Sequence, residues 1–325
     1  LEAAKPNVLI SGDVTLNILA GHSSSGNLGV TSDGAVYGVG KPGTAYAGAA
    51  VGMTRDLNVL HEAGLTIAGT NEEGPKWTGT FVVGNMFNNQ LGGVGTFSDT
   101  VNDIYVHNMQ VTFDSAFLGQ GFSATLGRVG GRLGSYQFAK PDTSVDLEHS
   151  RYDDGKFYWD GGILTFNFGK AGLTLLGGRN PITTISQGAL INPALANVDV
   201  TMGAALTFPV TDSFNLLAGY LMHDFTNLVG TPAGTANRLT TYGAEVSGKV
   251  SVFDLKASYY ESDLSYNTTG RVTKDNAAWE AGLGYKTERF GINGLYRRVE
   301  QNYGAPGDWG SWGLALNPTG FKGLK

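Results

Sequence analysis

VDVTMGAALTF, residues 198–208, alternates without a slip. Val198, Val200, Met202, Ala204, Leu206 and Phe208 fall on one side of an extended chain. Asp199, Thr201, Gly203, Ala205 and Thr207 fall on the other. The run of 11 residues is about twice the length of an ordinary globular strand. One face is apolar and the other small or polar, which suits a sheet held between two different solvents.

The pattern recurs along the chain. VLISGDVTLNILA (8–20) sets Val8, Ile10, Val14, Leu16 and Ile18 against Ser11, Asp13, Thr15 and Asn17. YGAEVSGKV (242–250), AAWEAGLGYK (277–286) and FGINGLYRR (290–298) repeat it, while FNLLAGYLMHDF (214–225) alternates less cleanly. Short turn-like links, such as NEEGPK (71–76), GKAG (169–172), PVTDS (209–213), SV (251–252) and TER (287–289), alternate with longer polar ones over 14 candidate strands. That parity predicts an all-β fold, a transmembrane antiparallel up-and-down β-barrel with short periplasmic turns and longer outer loops. The last candidate strand, WGSWGLAL (309–316), leads into a turn and the sequence then stops. The chain is therefore expected to be part of a barrel of roughly 16 strands or more. Residues 1–7 read as the end of a periplasmic linker and 8–325 as barrel.

Composition narrows the classes. Charged residues are 15% of the 325, against roughly 25% in a typical soluble chain. There are 49 glycines and no cysteine, which excludes a disulfide scaffold and thiol catalysis. Mean hydropathy is −0.09, far below that of a helical membrane protein, and no apolar run is long enough for a membrane helix. Alternate contact with lipid and water gives such an intermediate value. A net charge of −6 argues against a nucleic-acid partner.

Aromatic residues gather near strand ends: Phe208, Phe214, Phe253, Tyr259, Tyr260, Tyr285, Phe290, Trp309 and Trp312. They are expected to form girdles at the membrane boundaries. Two stretches break the scheme. KFYWDGGILTFNFG (156–169) is apolar at both parities, so a bulge at Gly161–Gly162 is expected to switch its faces. The link 21–61 is too long for a plain loop. Within DLNVLHEAG (56–64), Leu57, Leu60 and Ala63 have helical spacing after Asp56 and before Gly64, predicting a short helix in the mouth; a hidden hairpin is the alternative.

Candidate pore-lining residues are the polar ones on the lumen parity: Asp13, Asn17, Asp199, Glu245, Lys249, Lys256, Glu280, Lys286, Asn293 and Arg297. Their mixed signs predict weak charge selectivity. Val198, Val200, Met202, Leu206, Tyr242, Val246, Trp279, Leu283 and Ile292 are expected to face lipid. A charge at Met202 or Leu206 should destabilise the fold, whereas Thr201 and Thr207 should tolerate one. The acidic loop 142–155 offers Asp146, Glu148, Asp153 and Asp154 as candidate metal ligands, without EF-hand spacing. A plain exposed loop is the preferred reading of it.

No catalytic constellation emerges. His22, His61, His107, His149 and His223 are scattered, and LHEAG lacks a second histidine for a zinc-protease motif. GVGKPG (38–43) matches a dinucleotide fingerprint in spelling, but Pro42 and the absence of a following helical pattern spoil the context. The chain is read as a non-enzyme requiring no cofactor, with a divalent cation, lipid or pigment left open as a bound group.

LEAAKPNVLISGDVTL (1–16) resembles the junction in outer-membrane porins anchored by S-layer-homology (SLH) domains. There a Leu/Glu/Ala-rich tail, here Leu1, Glu2, Ala3 and Ala4, precedes a first strand with the motif Ser11, Gly12, Asp13, Val14. GLALNPTGFKGLK (313–325) is similar to strand–turn–strand pieces of the same group. The resemblance implies a bacterial outer-membrane, cell-envelope protein. Its partners would be outer-membrane lipids, two further copies in a homotrimer, and a cell-wall polymer held by an N-terminal domain. The function expected is passive diffusion of ions and small polar solutes. The rival expectations are an envelope-anchoring barrel with little conductance and a soluble or surface adhesin β-domain.

Overall fold

In a computed structural model, the described residues are 7–19, 30–31, 34–35, 58–70, 74–84, 103–117, 119–138, 157–179, 198–225, 236–266, 270–300 and 303–304. They hold only strands and turns. In order these are β1 (Asn7–Leu19), β2 (Val30–Thr31), β3 (Gly34–Ala35), β4 (Asn58–Thr70), β5 (Lys76–Gly84), β6 (Asp103–Phe117), β7 (Gln120–Gly131) and β8 (Phe157–Phe168). There follow β9 (Ala171–Arg179), β10 (Val198–Thr211), β11 (Phe214–Phe225), β12 (Ala236–Val250), β13 (Phe253–Tyr266), β14 (Gly270–Val272), β15 (Ala277–Lys286) and β16 (Gly291–Val299). No described helix is long and apolar enough to cross a membrane, which says nothing of strands.

One 14-stranded sheet runs β1-β4-β5-β6-β7-β8-β9-β10-β11-β12-β13-β15-β16, each long strand antiparallel to the next, with β14 pairing back on β13. This is an all-β up-and-down fold, and β1 and β16 are its edges. The long strands have 9 to 15 residues, comparable with or longer than the ~9–11 needed to cross hydrocarbon obliquely. Links of a few residues, such as Gly169–Lys170 and Ser251–Val252, alternate with long ones at the opposite ends of the strands.

Period two sorts the side chains into two faces. On the outer face of β10, Met202 and Leu206 are 45% and 46% exposed. Outer positions of neighbouring strands match them: Leu175, Tyr220, Tyr242, Leu255, Leu283 and Ile292 are all exposed. Aromatic rings mark two levels. Near the short turns Phe253 meets Tyr285 at 5.2 Å, and Tyr285 meets Phe290 at 5.7 Å. The second level holds Tyr220 opposite Tyr242, Tyr259 opposite Trp279, and Trp279 against Tyr296 at 5.0 Å. Phe253 and Tyr259 are six residues apart, about 20 Å along the strand at ~3.3 Å per residue. Just past the second level the outer face becomes charged, with Arg238 on Asp224 at 2.6 Å and Glu261 held by Tyr242 and Tyr259.

Four local expectations are corrected. Residues 58–70 form strand β4, paired with β1 over its whole length, so no helix occupies 58–64. The alternation Val59, His61, Ala63, Leu65, Ile67 fits the pleat, and pairing on both edges outweighs a short helical spacing. Among the described residues the hairpin alternative corresponds to the two-residue pair β2–β3. β8 passes through Gly161–Gly162 with unbroken register to both neighbours, so no bulge lies there. Tyr260 is fully buried on the inner face and belongs to no girdle. Thr201 is also fully buried, its hydroxyl 2.9 Å from His223 Nδ1, so it is not a wet position. Trp309, Trp312 and the candidate strand 309–316 lie outside the described residues.

In lipid, Met202→Lys and Leu206→Lys should each lower unfolding free energy by about 2–4 kcal/mol, measured by denaturant titration in vesicles. Thr207→Lys should stay within about 0.5 kcal/mol. Thr201→Lys should behave like the outer-face variants, because it buries a charge beside His223.

Candidate functional site

After Gly131 the chain crosses the inner face of the sheet. Residues 132–138, RLGSYQF, run there, and Ser135, Tyr136, Gln137 and Phe138 are all buried. The segment reaches side chains of β8, β11, β12, β13 and β15, strands far apart in the sheet order. Gly134 lets it approach, since a Cβ there would run into the Tyr260 hydroxyl.

Two carboxylates fix the segment. Glu245 on β12 accepts from the Ser135 N–H, from Ser135 Oγ at 2.8 Å and from Tyr260 Oη at 2.6 Å. Glu280 on β15 accepts from Tyr136 Oη at 2.8 Å, Lys256 Nζ at 2.9 Å, and Arg297 Nε and Nη2 at 3.0 Å. Hydrogen bonds to an ionised acceptor are about twice as strong as neutral ones. Burial, and then the hydrogen bond to Glu280, push the Tyr136 phenol well above its ordinary ionisation range. Glu245, Ser258, Glu280 and Arg297 stand directly opposite one another in one row across β12, β13, β15 and β16.

Gln137 closes the segment on itself and on the wall. Its Oε1 accepts from the Gly134 N–H at 3.1 Å, and its Nε2 donates to the Thr241 carbonyl at 3.3 Å. Phe138 stacks on Trp159 at 5.7 Å and 8° and meets the His223 ring edge-on. Val129, Leu176, Leu221, Leu239 and Leu264 complete this apolar cluster. The cluster explains why β8 is apolar at both parities: Trp159 and Ile163 point inward and are covered by Phe138 and its neighbours. Beyond β16, Tyr303 Oη donates to the Tyr136 carbonyl at 2.7 Å, and the Gly304 N–H donates to Ser262 Oγ at 2.8 Å.

Of the candidate lining residues, Glu245, Lys256, Glu280 and Arg297 come together here. Lys249 faces Asp254 at 4.0 Å beside the β12–β13 turn. Asn293 stands opposite Gly284, and Lys286 is exposed at the end of β15. Asp199 pairs with Arg179 at 2.7 Å at the long-loop end. Asp13 is exposed on the edge strand β1, and the Asn17 side chain lies outside the described residues. On the other face Met202, Leu206, Tyr242, Leu283 and Ile292 are exposed. Val200, Val246 and Trp279 are half-buried beside them. The Val198 side chain and the acidic residues Asp146, Glu148, Asp153 and Asp154 are outside the description. Among the described residues no group of three or more metal-ligating side chains forms. The inward segment, Tyr260 and Tyr303 were not singled out from the sequence as part of a site. The apolar residues of β8 at inner positions were the available signal.

No family model matches the chain, and no curated protein matches it. Among solved structures it is similar to a chain described as Salmonella typhi OmpF in complex with daunomycin. The identity is 9%, over 94% of this chain and 92% of that one, with a TM-score of 0.35. At that distance the likeness transfers neither residues nor a solute.

Phe138→Ala should cost about 3–5 kcal/mol and red-shift emission from Trp159, which loses its stacked cover. Phe168→Ala, at an exposed outer position, should shift neither stability nor emission to that extent.

Proposed function

We propose that this chain forms the wall of a bacterial outer-membrane channel, through which ions and small polar solutes diffuse passively. The observation that carries the reading is the two-sidedness of the sheet. Between the two aromatic levels the outer positions of β10–β16 are apolar and exposed, among them Met202, Leu206, Leu255, Leu283 and Ile292. The inner positions of the same strands hold Glu245, Lys249, Lys256, Glu280, Asn293 and Arg297. Hydrocarbon outside and water inside would satisfy both. In lipid, unpaired backbone costs several kcal/mol per group, so the proposed barrel satisfies the edges β1 and β16 by closure.

The inward segment narrows this lumen. It covers inner positions in the long-loop half, whereas the half nearer the short turns is lined by Ser247, Lys249, Asp254, Lys256, Asn293 and Leu295. No turnover is needed; a solute passes along the polar wall. Trimeric assembly and a tether to the cell wall extend the reading, supported by the junction-like sequence at 1–14.

One observation favours a second reading, an envelope-anchoring barrel with a closed lumen: the cluster around Phe138 is a packed apolar core on the inner face. Conductance of the purified protein in planar bilayers separates the two. Diffusion requires discrete steps from the wild type. Gly219→Val should enlarge them, because a Cβ there would collide with Gln137 Oε1 and displace the segment. Protein that inserts yet stays silent, in both forms, overturns the channel.

A further inference from the structure

We propose that the turn-side inner wall of β12–β16 is a track for small anions, so that the channel passes chloride and small carboxylates more readily than cations. The inference rests on the channel reading above and names its solute class. The sequence places both signs on the inner parity, but the fold exposes them unequally. The Glu280 side chain is 3% exposed, capped by Tyr136 and paired with two cations. Glu245 has donors from Ser135 and Tyr260 on its oxygens. Both carboxylates are thus turned into fasteners for the segment. Lys256, by contrast, keeps 41% of its side chain exposed.

Toward the short turns the imbalance persists. Lys286 is exposed on the inner parity of β15. Lys249 is exposed and has Asp254 opposite it, at 4.0 Å. At these inner positions the bases Lys249, Lys256, Lys286 and Arg297 outnumber the acids Glu245, Asp254 and Glu280 by one, and the excess lies on the turn side, where Lys249, Lys256 and Lys286 face Asp254 alone. Gly282 and Gly284 form the inner positions of β15 between these groups. Leu295 and Asn293 stand opposite these glycines and flank the approach to Lys256. Elsewhere on the inner parity stand Asp13 on β1, the buried Glu62 on β4, and Asp114 paired with Lys76 at 3.7 Å.

A unit charge about 10 Å from a passing ion in water contributes roughly 0.4 kcal/mol, about a twofold change in local anion concentration. Screening sets the range: the Debye length is about 10 Å at 0.1 M salt and about 3 Å at 1 M. The test is the reversal potential of the full protein in planar bilayers under a potassium chloride gradient. Chloride should be preferred at low salt, with the preference fading near 1 M. Lys286→Gln should reduce the permeability ratio about twofold and Lys286→Glu about fourfold. Lys286 is exposed at a strand end, so these variants should fold, as a heat-modifiability gel will verify. Lys256→Met, which leaves Glu280 held by Arg297 and Tyr136, should act in the same direction. Conductance that prefers potassium, or that ignores Lys286→Glu, overturns the anion track while the channel stands. Silence in every bilayer overturns the channel itself, and the track with it.

Discussion

Glu245, half-buried, and Glu280, buried, need donors to meet their oxygens, and this requirement organises the inner half of the molecule. A buried carboxylate without such partners is severely destabilising. The wall supplies part of the need through Tyr260, Lys256 and Arg297. The rest comes from the backbone and hydroxyl of Ser135 and the phenol of Tyr136. The acids therefore bind residues 132–138 to the sheet. Once bound, the segment brings Phe138 onto Trp159 and excludes water from the apolar cluster around them. Charge satisfaction and apolar burial reinforce each other along one short stretch.

The outer face obeys a different constraint. Exposed side chains such as Met202, Leu206, Tyr220, Leu283 and Ile292 would form a large apolar patch on a soluble protein, and such patches call for a partner. Here they form a continuous band bounded by rings, with ion pairs beginning just past Tyr242 and Tyr259. A band whose polarity changes at a fixed level along many strands matches a layered solvent better than it matches a protein partner. The same layering accounts for low overall charge: half of each strand has no use for it.

What was legible in the sequence was whatever the local period encodes. Strand positions, their antiparallel order and the alternation of short and long links all follow from side chains two residues apart and from turn residues. The inward segment escaped because RLGSYQF has no period of its own. Its decisive partners are distant in sequence, 110 residues away for Ser135 with Glu245 and 144 for Tyr136 with Glu280. The apolar inner residues of β8 were a trace of it. A bulge would switch the faces by breaking the register, whereas a covering segment explains Trp159 and Ile163 with the register intact. The helical spacing at 56–64 misled for the opposite reason, because pairing with β1 and β5 overrode a weak local preference.

The sign of the lumen illustrates why counting residues is not enough. The chain carries a net charge of −6, and both signs occupy inner positions of β12–β16. A solute, however, meets only the charges that face water. Carboxylates accept hydrogen bonds from backbone, hydroxyl and phenol donors, so Glu245 and Glu280 are readily absorbed into a packed layer. Ammonium groups on long stems extend out of it, as Lys256 does. Folding therefore engages Glu245 and Glu280 as structural acceptors while Lys256 stays open to the lumen, and Lys249 and Asp254 remain exposed as a pair nearer the turn. On the proposed reading an acidic protein can in this way present a positive path, set by where Lys249, Lys256 and Lys286 stand rather than by its net charge.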